Sequence, residues 1–428
     1  MRGWKMLSVL LVLLFTATTS FAGGFRLPEA GAKAMGMGFA FTAQADDPSA
    51  IYFNPAGLTQ LKGQNVMVGL TYIKGNGGTF TGTTPVDNVT AIKNETQKTL
   101  DFYVPNTYYT KTTADGYVSY GVGIFAPFGT GQEYNDKNTS IFRNQITKID
   151  LQTVVVNPTI AFKINEVLSV GFGIDWMWGK AQLEKTPVHP AAGNLYNLEL
   201  KGDGDAWGYN FGVLLKPSEN FRIGANYRSP FTLKIKNADV TISNTSPAYG
   251  SGAFGATPAS TQGSATIYMP ATFALGAAYT VGSLTMEADA DWTFWHSYTS
   301  LPITINNPVP TLYSTDAQKN WEDVCAFRVG MEYRLAAPVA LRIGFVYDPS
   351  PAPASTMGPE LPDALKLDYT VGLGFKTGAW TIDLAGMYVD KRDRTVNNQA
   401  ITAAGGTGFN GTWTGDAWLA SVDIGYKF

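Results

Sequence analysis

The chain holds one cysteine, Cys325, in 428 residues. A lone thiol excludes an internal disulfide and a cysteine-built zinc site. Histidine is almost as scarce. His189 and His296 are the two present, far apart, so a histidine-rich metal site is excluded and a Ser-His-Asp triad has two conceivable centres. Charge is thin as well: 15% of residues are Asp, Glu, Lys or Arg, where a soluble domain usually carries about 25%. The net charge of −3 gives no basic footprint for nucleic acid. Beyond residue 22 no unbroken apolar run nears the roughly 20 residues of a membrane helix. The mean hydropathy of −0.05 is too polar for a helical bundle. The mature chain is therefore either soluble or crosses a membrane as a closed β-barrel.

Glycine is in excess, at 46 residues, about 11% where roughly 7% is usual. The N-terminus reads as a secretory signal. Arg2 and Lys5 precede an apolar stretch from Met6 to Phe15, and Ser20-Phe21-Ala22 places small residues at the two cleavage positions. Cleavage is expected after Ala22, and no cysteine follows to carry a lipid anchor.

The C-terminal segment chooses between soluble and barrel. Trp418, Ala420, Val422, Ile424, Tyr426 and Phe428 alternate with the small or polar Ser421, Asp423, Gly425 and Lys427. A period of two gives a strand with one greasy and one wet face. The same period puts Glu287, Asp289 and Asp291 on one side of a strand whose other side is Met286, Ala288, Ala290 and Trp292. Three carboxylates on one face would make a poor soluble core, but suit a wet or plugged lumen. Fourteen such segments can be counted: 64–74, 99–111, 116–127, 149–165, 167–185, 203–217, 220–237, 263–281, 283–299, 320–335, 339–350, 366–377, 379–392 and 412–428. Short connections alternate with long polar ones such as 75–98 and 237–262, the pattern of an outer-membrane barrel. Residues 23–62 lack the strand pattern. A fourteen-stranded barrel is too wide for its side chains to fill, so this segment is expected inside as a plug. The reading is an all-β, 14-stranded antiparallel transmembrane barrel over 63–428, a hatch over 23–62 and a signal peptide over 1–22.

An ordered set of stretches resembles the long-chain fatty acid transporters of Gram-negative outer membranes and their aromatic-hydrocarbon relatives. These are MGFAFTAQADDPSAIYFNPAG ending at Gly57, then APFGTGQEY from Ala126, NPTIAFKIN from Asn157, GDGDAWGYNFGVLLKP from Gly202, NWEDVCAFRVGMEY from Asn320, and Leu361-Pro362-Asp363. The resemblance covers nearly the whole mature chain. It implies passive uptake of a hydrophobic ligand, fatty acid first and monoaromatic or alkane-like hydrocarbon as the alternative. It implies a groove among the outer loops, a tighter inner pocket, and lateral release into outer-membrane lipid beside a kinked third strand. A monomer without cofactor, metal or nucleic-acid partner is expected.

The resemblance also implies roles. Lys185 falls where the family carries a basic residue of the inner pocket, and it shares the lumen-facing parity of Gly179, Ala181 and Leu183. Lys319 is a second candidate for a ligand head group, although the following Asn320-Trp321-Glu322 brings an acid where many relatives have a base. Phe25 matches a hatch aromatic that lines the pocket. Asn54-Pro55-Ala56-Gly57 is a turn by its residue types and, by resemblance, a hatch corner beside the third strand. Pro127, Phe128 and Gly129 lie where that strand ends, and a proline there removes a ladder donor. Against these stand bland readings: solvated rim lysines, plug packing and a plain strand end. An outer-membrane lipid hydrolase would need His189 or His296 paired with a serine and an acid, and no motif proposes one. Asp46-Asp47 reads as a capped turn before a metal site. An open hydrophilic porin would conduct ions without removal of residues 23–62.

Overall fold

The structure, a computed structural model, describes residues 23–84, 89–187, 196–244, 259–306, 315–336, 338–398 and 408–428. The expected signal peptide and His189 lie outside them. Twenty strands are present: β1 (Gln64–Thr84), β2 (Val89–Thr96), β3 (Leu100–Thr112), β4 (Val118–Phe125), β5 (Gly129–Glu133), β6 (Lys148–Lys163), β7 (Leu168–Lys185), β8 (Tyr196–Leu215), β9 (Phe221–Arg228), β10 (Phe231–Asn244), β11 (Ala259–Met269), β12 (Ala271–Val281), β13 (Leu284–Phe294), β14 (Ser300–Asn306), β15 (Thr315–Gln318), β16 (Val324–Ala336), β17 (Val339–Asp348), β18 (Lys366–Thr377), β19 (Trp380–Asn397) and β20 (Asn410–Lys427). All join one antiparallel sheet, and β20 closes it on β1 with Val66 opposite Tyr426. Six consecutive pairs, β2/β3, β4/β5, β9/β10, β11/β12, β13/β14 and β15/β16, each make one broken stave. The ring therefore has fourteen staves, as the alternation predicts.

The breaks have local causes. Pro127, Pro230 and Pro270 interrupt the third, seventh and eighth staves, since proline cannot donate to the ladder. The stretches 75–98 and 237–262, expected as loops, are partly strand: β1 runs on to Thr84, β2 returns beside it, and β10 and β11 extend the wall outward. The outer part of β1 is mostly Gly, Asn and Thr and shows little apolar alternation, whereas β10 resumes it in the opposite parity after a bulge between Ile235 and Ala238, with Ala238, Val240 and Ile242 buried.

Parity holds along the wall. In β20 Trp418, Val422 and Ile424 are exposed, whereas Ala417, Leu419, Ser421 and Asp423 are buried. Around the ring Phe172, Trp207, Phe211, Val371 and Trp380 also face outward. So large an exposed apolar surface marks a protein that lies in lipid.

Residues 23–61 fill the lumen. They form α1 (Ala32–Gly36), α2 (Ala50–Phe53) and a 3-10 helix (Pro55–Gln60) joined by turns. Met35, Met37, Phe41, Ile51 and Leu58 are fully buried. Helices this short are marginal on their own, and packing against the wall holds them.

Candidate functional site: the hatch, the broken third stave and the lumenal pocket

The wall presents charge where the hatch presents bare backbone. Glu287 accepts the amides of Ala43 (2.6 Å) and Gln44 (2.9 Å). Asp289 accepts those of Phe41 and Thr42, each at 3.0 Å. Asp291 binds the Arg26 guanidinium at 2.8 Å and that of Arg328 at 3.2 Å. The three carboxylates of β13 are thus docking points for the plug. Two to three staves along the same wall, Asn210 donates to the Ile51 carbonyl (3.1 Å), and Asn226 and Arg228 donate to that of Tyr52 (both 3.3 Å). Arg228, ion-paired with Asp175, also lies over the Tyr52 and Phe125 rings.

Asn54 is fully buried and caps the 3-10 helix, accepting from the Ala56 amide at 3.1 Å, with Pro55 at the first helical position. Its side chain donates to the Thr42 carbonyl (2.8 Å) and to that of Val213 on β8 (3.0 Å). A Cβ on Gly212 would lie 2.2 Å from the Asn54 Oδ1, so the corner needs glycine in the wall. The corner of Asn54 to Gly57 bears on the wall at β7 and β8. The residues just before it face the third stave, where Tyr52 packs edge-on against Phe125 at 5.1 Å.

The third stave breaks at 126–128. β4 pairs with β3 on one side and β6 on the other, but β5 pairs with β6 alone. β3 residues from Leu100 to Asn106 have only β1 as partner. The wall here is open over several residues, and the hatch takes the missing place. The Leu27 amide donates to the Pro127 carbonyl (2.8 Å), the Gly129 amide to that of Phe25 (2.9 Å), and Arg26 stands opposite Phe128. The freed backbone groups of Pro127 and Gly129 are satisfied by the plug, as a barrel wall requires.

Phe25 lies against Phe128 (ring centroids 6.1 Å apart), Trp295 (4.7 Å), Tyr298 (5.4 Å) and Trp321 (5.8 Å). The Phe25–Phe128 pair divides two cavities. On the long-loop side is a small, mostly apolar pocket lined by Phe25, Leu151, Leu183, Ile267, Leu301 and Trp321 among others. Tyr298 shares that lining, and burial pushes its phenol well up, so it stays neutral. On the other side a small cavity is walled by Arg26, Arg228, Arg328, Asp289 and Asp291 with Phe128 and Pro127.

The two candidate lysines differ. Lys319 lines the apolar pocket but its ammonium is held by the Glu360 carboxylate, and it is 3% exposed. Lys185 ends β7, half-buried, two residues beyond Leu183 on the same face. No carboxylate among the described residues pairs with it. His296 sits on the rim, exposed, its Nδ1 2.8 Å from Asp323. Asp46 pairs with Lys33, and Asp47 caps the Ser49 amide. Among the described residues no cluster of His, Cys, Asp and Glu could hold a metal. Sequence reasoning missed Arg26, Arg228 and Arg328. The alternation of Gly224, Asn226 and Arg228 with Ile223, Ala225 and Tyr227 could have found one of them.

A lipid-facing fourteen-stave barrel, plugged by its own N-terminal segment and enclosing an apolar pocket beside a break in its wall, defines an outer-membrane transporter of hydrophobic compounds. The chain belongs to the outer membrane protein transport protein family (OMPP1/FadL/TodX), whose profile matches residues 13–428. It is 24% identical over 96% of both chains to the long-chain fatty acid transport protein of Escherichia coli O6:H1. It is likewise 24% identical to outer membrane protein P1 of Haemophilus influenzae, over 97% of this chain and 98% of that one. A Pseudomonas aeruginosa FadL homologue superposes with a TM-score of 0.77 over 95% of this chain and all of the other, at 19% identity. The Pseudomonas putida toluene transporter TodX superposes at 0.69 over 94% and 99%, at 17% identity. The Escherichia coli and Pseudomonas putida relatives are named as transporters.

Proposed function

We propose that the chain takes up long-chain fatty acids, as a monomer and without an energy source. The tail lies in the pocket lined by Phe25, Leu183 and Leu301, and the carboxylate meets Lys185. The observation that carries this reading is a half-buried ammonium without a carboxylate partner among the described residues, one strand step outward from an apolar pocket. The hatch residues 25–27 then yield at Pro127–Gly129, and the ligand leaves sideways into lipid. Each CH₂ gains about 0.8 kcal/mol on burial. A long tail therefore leaves a dry pocket far more readily into a bilayer than into water. The arginines and aspartates below Phe25 oppose continued passage down the lumen.

A neutral hydrocarbon is the second reading, favoured by one observation: Glu360 neutralises Lys319, the cation within the pocket itself. Equilibrium binding of oleate and toluene to the detergent-purified protein and its Lys185→Ala variant separates the two. A hydrogen bond to a charged group contributes about 1.5–3 kcal/mol, so oleate should bind the variant about 10- to 150-fold more weakly, with toluene unchanged. Tight toluene binding that ignores the substitution, with weak oleate binding to both forms, would replace the fatty acid with a hydrocarbon.

A further inference from the structure

Charge is shared unevenly between the two ends of the barrel. The short connections lie at 113–117, 164–167, 216–220, 282–283, 337–338 and 378–379, and the chain enters β1 and leaves β20 at the same rim. These turns, the three strand residues on either side of each, and the barrel ends at 62–66 and 425–428 carry eight bases and three acids. The whole chain holds 31 bases and 34 acids, so this rim is basic and the remainder acidic. Lys163 and Arg334 have close carboxylates, Glu166 at 2.7 Å and Glu332 at 3.2 Å. Lys62, Lys111, Lys216, Arg222, Lys376 and Lys427 form no ion pair among the described residues. Of these, Lys62, Lys376 and Lys427 are exposed. Lys216 follows β8, where burial, then the charges of Arg222 and Lys163, push its ammonium down to about 8. Three cations thus crowd one arc of the rim without an acid to balance them.

Two features identify what meets this rim. The bases stand at the first, second, fourth, sixth, seventh, tenth, twelfth and fourteenth staves. A protein partner docks on one patch, whereas lipid surrounds a barrel on every side. Exposed aromatic residues lie at the same level: Tyr117, Tyr279, Tyr333 and Trp380 are between 45% and 55% exposed, and Lys111 stands across the ladder from the exposed Tyr120. Such aromatics mark the headgroup level of a membrane. Short turns of outer-membrane barrels face the periplasm, so the leaflet here is the inner one, made of phospholipid. We propose that this basic rim binds the phosphate groups of anionic phospholipid, phosphatidylglycerol above all, and so holds the rim at the headgroup level of the inner leaflet. Lysine and arginine beside an anionic leaflet are attracted to it over a Debye length. Their long stems lie along apolar surface while the charged ends reach the phosphates.

The test involves no transported ligand, so it stands apart from the fatty acid reading. The mature full-length protein is reconstituted in phosphatidylcholine vesicles with a trace of spin-labelled phosphatidylglycerol or spin-labelled phosphatidylcholine. Electron spin resonance measures the share of each label held at the protein surface. At about 10 mM salt the anionic lipid should be preferred about threefold, and about 1 M salt should abolish the preference. Lys62→Gln combined with Lys376→Gln and Lys427→Gln should lower it to below about twofold. Lys201→Gln combined with Lys234→Gln and Lys236→Gln removes as much charge from exposed positions toward the other end, and should leave it unchanged. If the first variant fails to fold, as judged by heat-modifiable migration on gels, the salt series and the pair Lys111→Gln with Lys376→Gln decide. No preference in the parent, a preference that neither salt nor the rim substitutions move, or an equal loss in both triple variants would overturn the proposal. Binding of soluble polyglutamate without any lipid preference would overturn it in favour of an acidic protein partner.

Discussion

The carboxylates of β13 give the sharpest test of how the hatch is held. Asp289→Ala removes the single oxygen that accepts both the Phe41 and Thr42 amides at 3.0 Å. Hydrogen bonds to a charged group contribute about 1.5–3 kcal/mol each, so the pair is worth about 3–6 kcal/mol. Two amides of buried residues lose the acceptor they share. At 1.4 kcal/mol per tenfold, local opening should become about two to four decades more frequent. Amide hydrogen exchange read by mass spectrometry on peptides spanning 39–45 measures it directly. Glu287→Ala should act on the next two amides, Ala43 and Gln44, in the same way. The barrel itself should survive both changes, because Glu287 and Asp289 point inward and the β13 ladders to β12 and β16 are backbone bonds. Exchange that changes less than threefold in a folded Asp289→Ala barrel would refute the reasoning, and would mean that contacts elsewhere hold this segment.

Two further outcomes follow from the same geometry. Gly224→Ala places a Cβ 2.0 Å from the Thr42 carbonyl oxygen, so hatch and wall must separate by roughly an ångström; backbone clashes of this kind cost about 1–3 kcal/mol. The melting temperature should fall by several degrees, whereas Gly386→Ala, whose nearest neighbour is 3.7 Å away, should leave it unchanged. Val371→Arg puts a charge on a lipid-facing position that is 62% exposed, which costs about 2–4 kcal/mol near the bilayer midplane. Folding yield into vesicles, scored by heat-modifiable gel migration, should drop. A Val371→Arg yield equal to that of the parent would place this face outside the lipid.

The wall was legible because lipid on one side and a filled lumen on the other impose a strict period of two. Every one of the fourteen anticipated segments overlaps a stave, and β20, β13 and β7 carry the expected parity. What escaped notice lies where that contrast vanishes. Beyond Gly75 β1 is mostly Gly, Asn and Thr, so its pairing leaves little apolar trace, and in β10 a bulge between Ile235 and Ala238 flips the parity and hides the buried run Ala238, Val240 and Ile242. Within the seventh and eighth staves, Pro230 and Pro270 break the ladder without ending the stave, and periodicity cannot tell a break from a boundary. The hatch was legible only as a stretch that fits no strand. Its fold depends on which wall residues it meets, and those are distant in sequence, such as Asp289 for Thr42 or Val213 for Asn54.

Those distant pairings also account for the composition. A lumen plugged by short, poorly helical segments exposes many backbone amides and carbonyls that no ladder satisfies. The wall answers with acceptors and donors at inward positions: Glu287, Asp289, Asn210, Asn226. It also answers with an absence of side chains where backbone must touch backbone, as Gly212 does at Asn54 and Gly224 at Thr42. The glycine excess and the inward carboxylates, each odd for a barrel read alone, are two halves of one solution. They make a plug that is held by many polar contacts at discrete points. The proposed release route asks this plug to let go at one point, the Phe25–Leu27 patch on the third stave, while Asn54 and the β13 carboxylates keep the rest in place.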